Sequence, residues 1–322
     1  MKWRGLLSFT LLMSALFCAT AILTKAQTRD AVNRVEPSLG DITLLKQKAQ
    51  NGDMNAALRL GWSYLGGKGV PRDDQQAAKW FHLAATKGSR DAEFALGYLY
   101  EQGLGVERDY RHAIQYYSAA AKQGHASAAN NLGSMYAHGQ GVRKDQKQAA
   151  HWYEAAARQG DVTAQSNLAT LYFRGQGVPK DYSQAAVWFR AAADQGFAPA
   201  QDDLAWMYYT GTGVGQDYKE AAKWTRLAAE QGYARAQIDL GYLYEHGKGV
   251  PLDYVNAYVW YKMALAGGDQ RGRKTLKSVS RLMTGDQIRI AEERAQRMPA
   301  LQPKAPSTGD SNAFRNSFSE EH

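Results

Sequence analysis

The chain has 322 residues, 44% of them hydrophobic, and a formal net charge of +8. Lys2, Arg4 and Lys25 fall in an expected targeting segment, so the mature balance is 8 − 3 = +5, spread along the chain rather than striped. That excludes a nucleic-acid binder, while 31 glycines and 19 tyrosines against 8 prolines direct attention to internal repeats.

Residues 1–26 read as a secretory signal peptide. Lys2 and Arg4 form the charged start, and Gly5 to Thr24 is an uncharged run of 20 residues. Ala19-Thr20-Ala21 and Thr24-Lys25-Ala26 are small-x-small cleavage candidates, with cutting expected after Ala26. The alternative is a retained N-terminal anchor, since such a run can span a bilayer. No other stretch is long and apolar enough to span one. The single cysteine, Cys18, leaves with this segment, so no disulfide framework is expected. Residues 27–40 are polar, contain Pro37 and read as an irregular lead-in.

Residues 41–51 match the second half of a repeat, with Leu44 at the Trp position, and predict a lone cap helix. The repeats themselves follow. Gly52, Gly88, Gly124, Gly160, Gly196, Gly232 and Gly268 are spaced by 36 residues with no insertion. They delimit six units: 52–87, 88–123, 124–159, 160–195, 196–231 and 232–267. In each, Ala follows the Gly by four residues, then Leu by four, then a small residue, then Tyr (Tyr64, Tyr100, Tyr136, Tyr172, Tyr208, Tyr244). That spacing lays one stripe on a first helix. A Gly-x-Gly-Val turn leads to Asp (Asp73, Asp109, Asp145, Asp181, Asp217, Asp253), whose carboxylate suits an N-cap. A second helix then carries Trp or Tyr (Trp80, Tyr116, Trp152, Trp188, Trp224, Trp260) and ends at the next Gly. Neither helix buries its stripe alone, so the fold class is all-α, a stack of helix pairs. Gly247 and Gly249 resemble a phosphate-cradling turn in isolation. Six occurrences, with no following Lys and Ser or Thr, make them a structural connection.

After Gly268 the period stops. Residues 270–283 place Leu276, Val279, Leu282 and Met283 on an apolar side, with Arg271, Arg273, Lys274, Lys277 and Arg281 elsewhere. These cations read as a solvated cap face, with an acidic partner or phospholipid as the alternative. A capped helix is predicted from about Thr284, with Gln287 closing a capping box. Residues 268–298 therefore form C-terminal cap helices, and 299–322, with three prolines, are expected to be disordered.

The Leu-Gly-x-x-Tyr helix, the Gly-x-Gly-Val-x-x-Asp turn, the Ala-x-x-Trp helix and the Ala-Ala-x-x-Gly ending resemble the Sel1-like repeat, a relative of the tetratricopeptide repeat. The resemblance covers residues 52–267. It implies a right-handed α-solenoid serving as an adaptor for protein complexes. Exported bacterial relatives act in the periplasm or at the cell surface, in envelope regulation, polysaccharide secretion and host interaction. Some secreted relatives are linked to β-lactam chemistry, but those carry a disulfide in each repeat, which this chain lacks.

In the related arrays the first helices line a concave groove. Carried over by position, the partner-binding candidates are Asn55, Arg59, Trp62, Phe94, Tyr98, Asn130, Asn131, Asn167, Asp202, Trp206, Tyr209, Asp239 and Tyr242. Asparagine amides suit an extended peptide backbone, and aromatics offer side-chain pockets. For Trp62, Tyr98, Trp206 and Tyr242, which share one repeat position, packing between helices is the alternative. No catalytic residues, metal ligands or cofactor are expected. The seven histidines form no ligand pair, and the recurring Asp is a cap. The function expected is an exported scaffold binding a protein or peptide; the alternative is a binder of cell-wall or exopolysaccharide glycan.

Overall fold

A computed structural model describes residues 39–298. The signal segment, most of the lead-in and the tail lie outside these residues. No helix among them is long and apolar enough to cross a membrane. The described residues divide into two compact units, 39–145 and 146–298. The division falls between the two helices of the third repeat.

In the first unit the helices are α1 (Leu39–Gln50), α2 (Met54–Gly66), α3 (Asp74–Ala85), α4 (Arg90–Gln102), α5 (Tyr110–Lys122) and α6 (Ala126–His138). The second holds α7 (Gln146–Ala157), α8 (Val162–Arg174), α9 (Tyr182–Asp194), α10 (Ala198–Thr210), α11 (Tyr218–Glu230) and α12 (Ala234–His246). It continues with α13 (Tyr254–Ala266), α14 (Arg271–Val279), a 3₁₀ turn (Ser280–Leu282) and α15 (Gly285–Arg297). The described residues contain no strand. Within each unit each helix packs on the next in sequence up to α14, and α15 packs back on α13.

The caps follow the sequence reading. Asp73, Asp109, Asp181, Asp217 and Asp253 each accept from first-turn N–H groups, as at Gln76 (2.9 Å) and Gln184 (2.9 Å). Thr284 and Gln287 close the capping box reciprocally, at 3.3 and 2.9 Å. Three expectations are corrected. Helix α1 begins at Leu39, ahead of Asp41. Leu44 is 49% exposed, while Ile42, Leu45 and Ala49 are buried. Leu282 is 53% exposed, because the chain tightens into the 3₁₀ turn and the apolar face of α14 ends at Val279.

The Leu44 correction has a general cause. In the second helices the residue after the Trp or Tyr points inward: Phe81, Tyr117, Tyr153, Phe189, Thr225 and Tyr261 are all buried. Three of these rings are met by the glycine after the repeat Leu, twenty positions earlier. A Cβ on Gly61 would lie 2.4 Å from Phe81, on Gly97 2.5 Å from Tyr117, and on Gly241 2.5 Å from Tyr261. The ring is a knob and the glycine its hole.

A second periodic device joins successive repeats. In the second unit the buried amides of Gln165, Gln201 and Gln237 donate to the last-turn carbonyls of Ala157, Ala193 and Ala229. Gln195 Nε2 then donates to Gln165 Oε1, and Gln231 Nε2 to Gln201 Oε1, both at 2.8 Å. The next donor position is Gly267, so Gln237 Oε1 ends this ladder buried and without a hydrogen bond. Gly267 has φ −75°, ψ 2°, close to Gln195 (−83°, 5°) and Gln231 (−85°, 3°), and a Cβ there meets nothing nearer than 3.5 Å. Gly267→Gln is therefore expected to add a rung. It should stabilise the second unit by about 1–2 kcal/mol, from a satisfied buried acceptor and a stiffer unfolded chain. Urea unfolding checks this; a lowered midpoint would refute the ladder.

Candidate functional site

The fixed positions of the first helices form the interior. Ala56 and Leu60 and their counterparts up to Ala236 and Leu240 are all buried. Small side chains at these positions let neighbouring helices approach closely, and that approach decides where the thirteen candidates fall.

In the first unit, Asn55 and Arg59 are exposed on α2. Trp62 is half-buried, its ring edge-on to Phe81 with centroids 4.9 Å apart. Phe94 is buried against the His125 ring at 4.3 Å, and Tyr98 is buried beside it on α4. On α6, Asn130 is 9% exposed and Asn131 half-buried. The expectation that Asn130 and Asn167 face solvent is thus corrected. Both are buried, Asn167 to 6%, because the helices close over polar and apolar side chains alike.

In the second unit, Asn167 lies on α8 among the buried polar side chains Thr163, Gln165, Ser166 and Thr170. Asp202 and Asp203 on α10 are 1% exposed, and Asp239 on α12 is fully buried. They surround Arg235, whose Nε donates to Asp202 Oδ2 at 2.6 Å and whose Nη2 donates to Asp203 Oδ1 at 3.1 Å. Burial opposes the guanidinium charge, but Asp202, Asp203 and Asp239 more than offset it and push its pKa up. Tyr209 and Tyr242 bring their hydroxyls to 3.5 Å, Tyr242 stacks on His246 at 4.1 Å, and Trp206 stands half-buried at the edge of Phe173.

The structure adds residues that sequence reasoning missed. The Tyr117 hydroxyl donates to Glu101 at 2.6 Å, and Tyr261 donates to Glu245 at 2.6 Å, sixteen residues apart in both units. Where the ring is Phe81 or Phe189, the residue sixteen earlier is Leu65 or Phe173. The sequence carried this signal only in part, because Tyr153 has Ala137 at the same spacing. Burial raises the Glu101 carboxyl pKa, and burial beside a carboxylate raises both tyrosines. Arg235 carried no periodic signal, since its counterparts include Thr163 and Pro199. Among the described residues no group of three or more His, Cys, Asp or Glu could hold a metal ion.

Comparison with known proteins places this geometry in context. The model of the Sel1 repeat matches residues 55–89, 90–125, 126–161, 162–197, 198–233 and 234–269. A Sel1 repeat protein from Oxalobacter formigenes is 31% identical, with a TM-score of 0.62 over 71% of this chain and 99% of that one. The protective antigen c5321 of uropathogenic Escherichia coli strains, described as displaying an SLR fold, is 27% identical. Its TM-score is 0.47 over 83% of this chain and 80% of that one. Immunity protein Pa5087 from Pseudomonas aeruginosa is 23% identical, with a TM-score of 0.41 over 77% and 86%. No curated protein matches.

Proposed function

Because the chain belongs to the Sel1 repeat family, we propose that it is an exported, non-catalytic scaffold that binds a protein or peptide segment along its first helices. The charged start and apolar run of residues 1–26 support export to the periplasm or cell surface.

The reading rests on one observation. Beside identical packing positions, the first helices carry a row of buried polar side chains: Asn130 in the first unit, and Ser166, Asn167, Asp202, Asp203 and Asp239 in the second. Aliphatic residues there would pack without desolvating polar groups, so this row costs stability. Its use is to orient a polar face from within. On the outside of that face in the first unit, Asn55, Arg59, Asn131 and the edge of Trp62 are reachable by a partner. Amides and a guanidinium suit peptide carbonyls and carboxylates.

The test immobilises the exported protein and compares capture from envelope extract with binding to a glycan panel. Protein capture by the parent is expected, reduced at least tenfold by combined Asn55→Ala, Arg59→Glu and Asn131→Ala with helicity unchanged. Undiminished capture by the triple variant would refute the assignment. Binding to glycans alone would transfer the role to cell-wall or exopolysaccharide strands.

A further inference from the structure

Helix α14 differs from the other helices of its unit in its charge pattern. Arg273, Lys274, Lys277 and Arg281 are all exposed. At 3.6 residues per turn Arg273, Lys274 and Lys277 fall within one arc of about 100° on α14, and Arg281 follows in the 3₁₀ turn. The opposite side, Gly272, Leu276 and Val279, packs into the second unit's core. Arg271 turns aside to Asp269 at 2.6 Å, and no acid occurs between residues 270 and 285. None of the four side chains has a hydrogen-bonded or ion-pair partner among the described residues. Helix α11 shows the ordinary alternative, with Lys219, Glu220, Lys223, Arg226 and Glu230 mixing signs and Lys223 pairing with Glu220 at 3.2 Å. On α14, Arg273 and Lys277 stand four residues apart, a like-charge spacing that weakens a helix. Such a face is relieved by an opposing anionic surface.

From this arrangement we infer that the α14 face docks on anionic lipid headgroups. Charge complementarity is the first reason: long, flexible cationic side chains need no shaped acceptor and are attracted additively to a charged leaflet. Leu282 is the second. It protrudes beside Arg281, 53% exposed, where a side chain can enter the boundary between headgroups and acyl chains. An acidic protein partner would call for an apolar, desolvated centre inside a polar rim. Here the cations themselves occupy the centre of the face, and the one apolar side chain lies at its edge.

The experiment is flotation of residues 27–322, which omit the apolar run together with Lys2, Arg4 and Lys25, with vesicles of neutral phosphatidylcholine, with and without phosphatidylglycerol. Preferential binding to the phosphatidylglycerol vesicles is expected. Each cation neutralised should lower the partition coefficient about fivefold at low salt, and less as salt rises. Arg273→Gln, Lys274→Gln, Lys277→Gln and Arg281→Gln together should abolish the preference while leaving the melt unchanged. Arg273→Lys with Arg281→Lys should retain it, because a headgroup layer responds to charge and not to the planar guanidinium fork. Equal binding to both lipids, or no loss in the fourfold variant, overturns the inference. Capture of an acidic protein by the same side chains without vesicle binding overturns it as well.

Discussion

Gly249→Ala is expected to destabilise the second unit by more than about 3 kcal/mol, against about 1 kcal/mol for Gly196→Ala. Both glycines have positive φ, +70° and +83°. A non-glycine residue in that region costs roughly 1–2 kcal/mol by itself. At Gly196 nothing else lies within 4 Å of a new Cβ. At Gly249 the Cβ would lie 1.8 Å from the Tyr218 carbonyl oxygen and 2.9 Å from the Lys219 nitrogen, in the first turn of α11. Backbone cannot rotate away as a side chain can, so the connection after α12 must lift off α11 and give up the contact between two repeats. Urea unfolding of both variants, with far-UV dichroism as the probe, measures the difference. Equal losses would mean that dihedral strain alone explains these glycines. The same close approach recurs at Gly105 against Asp74, at Gly177 against Gln146 and at Gly213 against Tyr182.

Arg235→Ala should cost about 3–5 kcal/mol. It removes the guanidinium from between Asp202 and Asp203, whose side chains are 1% exposed, and leaves buried carboxylates without their cation. The comparator is Arg158→Ala. Arg158 pairs with Glu154 at 2.6 Å, but the two side chains are 72% and 40% exposed, and the loss should stay below about 0.5 kcal/mol. Adding Asp202→Asn and Asp203→Asn to Arg235→Ala should recover much of the deficit, since amides tolerate burial better than unpaired charges. An Arg235→Ala variant within about 1 kcal/mol of the parent would show that the cluster is hydrated and contributes little.

The fold was legible because its determinants act locally. Asp73 and its counterparts cap a helix through N–H groups two or three residues away, and Gly67 or Gly247 ends one by its own φ. A 36-residue period repeats those local signals six times. The candidate site was less legible because burial is settled across helices. Asn130 and Asn131 are neighbours in the chain, yet one is buried and the other half-exposed. Likewise, inspection of Trp80-Phe81 gave no reason to prefer the smaller ring for the interior; the hole at Gly61, twenty residues earlier, does that. Leu44 was misplaced for the same reason. Arg235 reaches carboxylates 32 and 33 residues back, from a position that holds no other cation in the six repeats.

The glutamine ladder bears on how such a chain changes length. Each Gln–Gln rung lies within one repeat, and the accepting glutamine in turn donates to a last-turn carbonyl of the repeat before it, so the two repeats from Gln165 to Gln231 carry the same pair of bonds. A duplicated 36-residue segment inserted between them would bring its own hydrogen-bonding halves, its own ring and its own hole for the neighbouring ring. Copy number can therefore vary in whole units without inventing a new interface. An insertion of 35 or 37 residues would instead put every later amide, glycine and ring out of register at once.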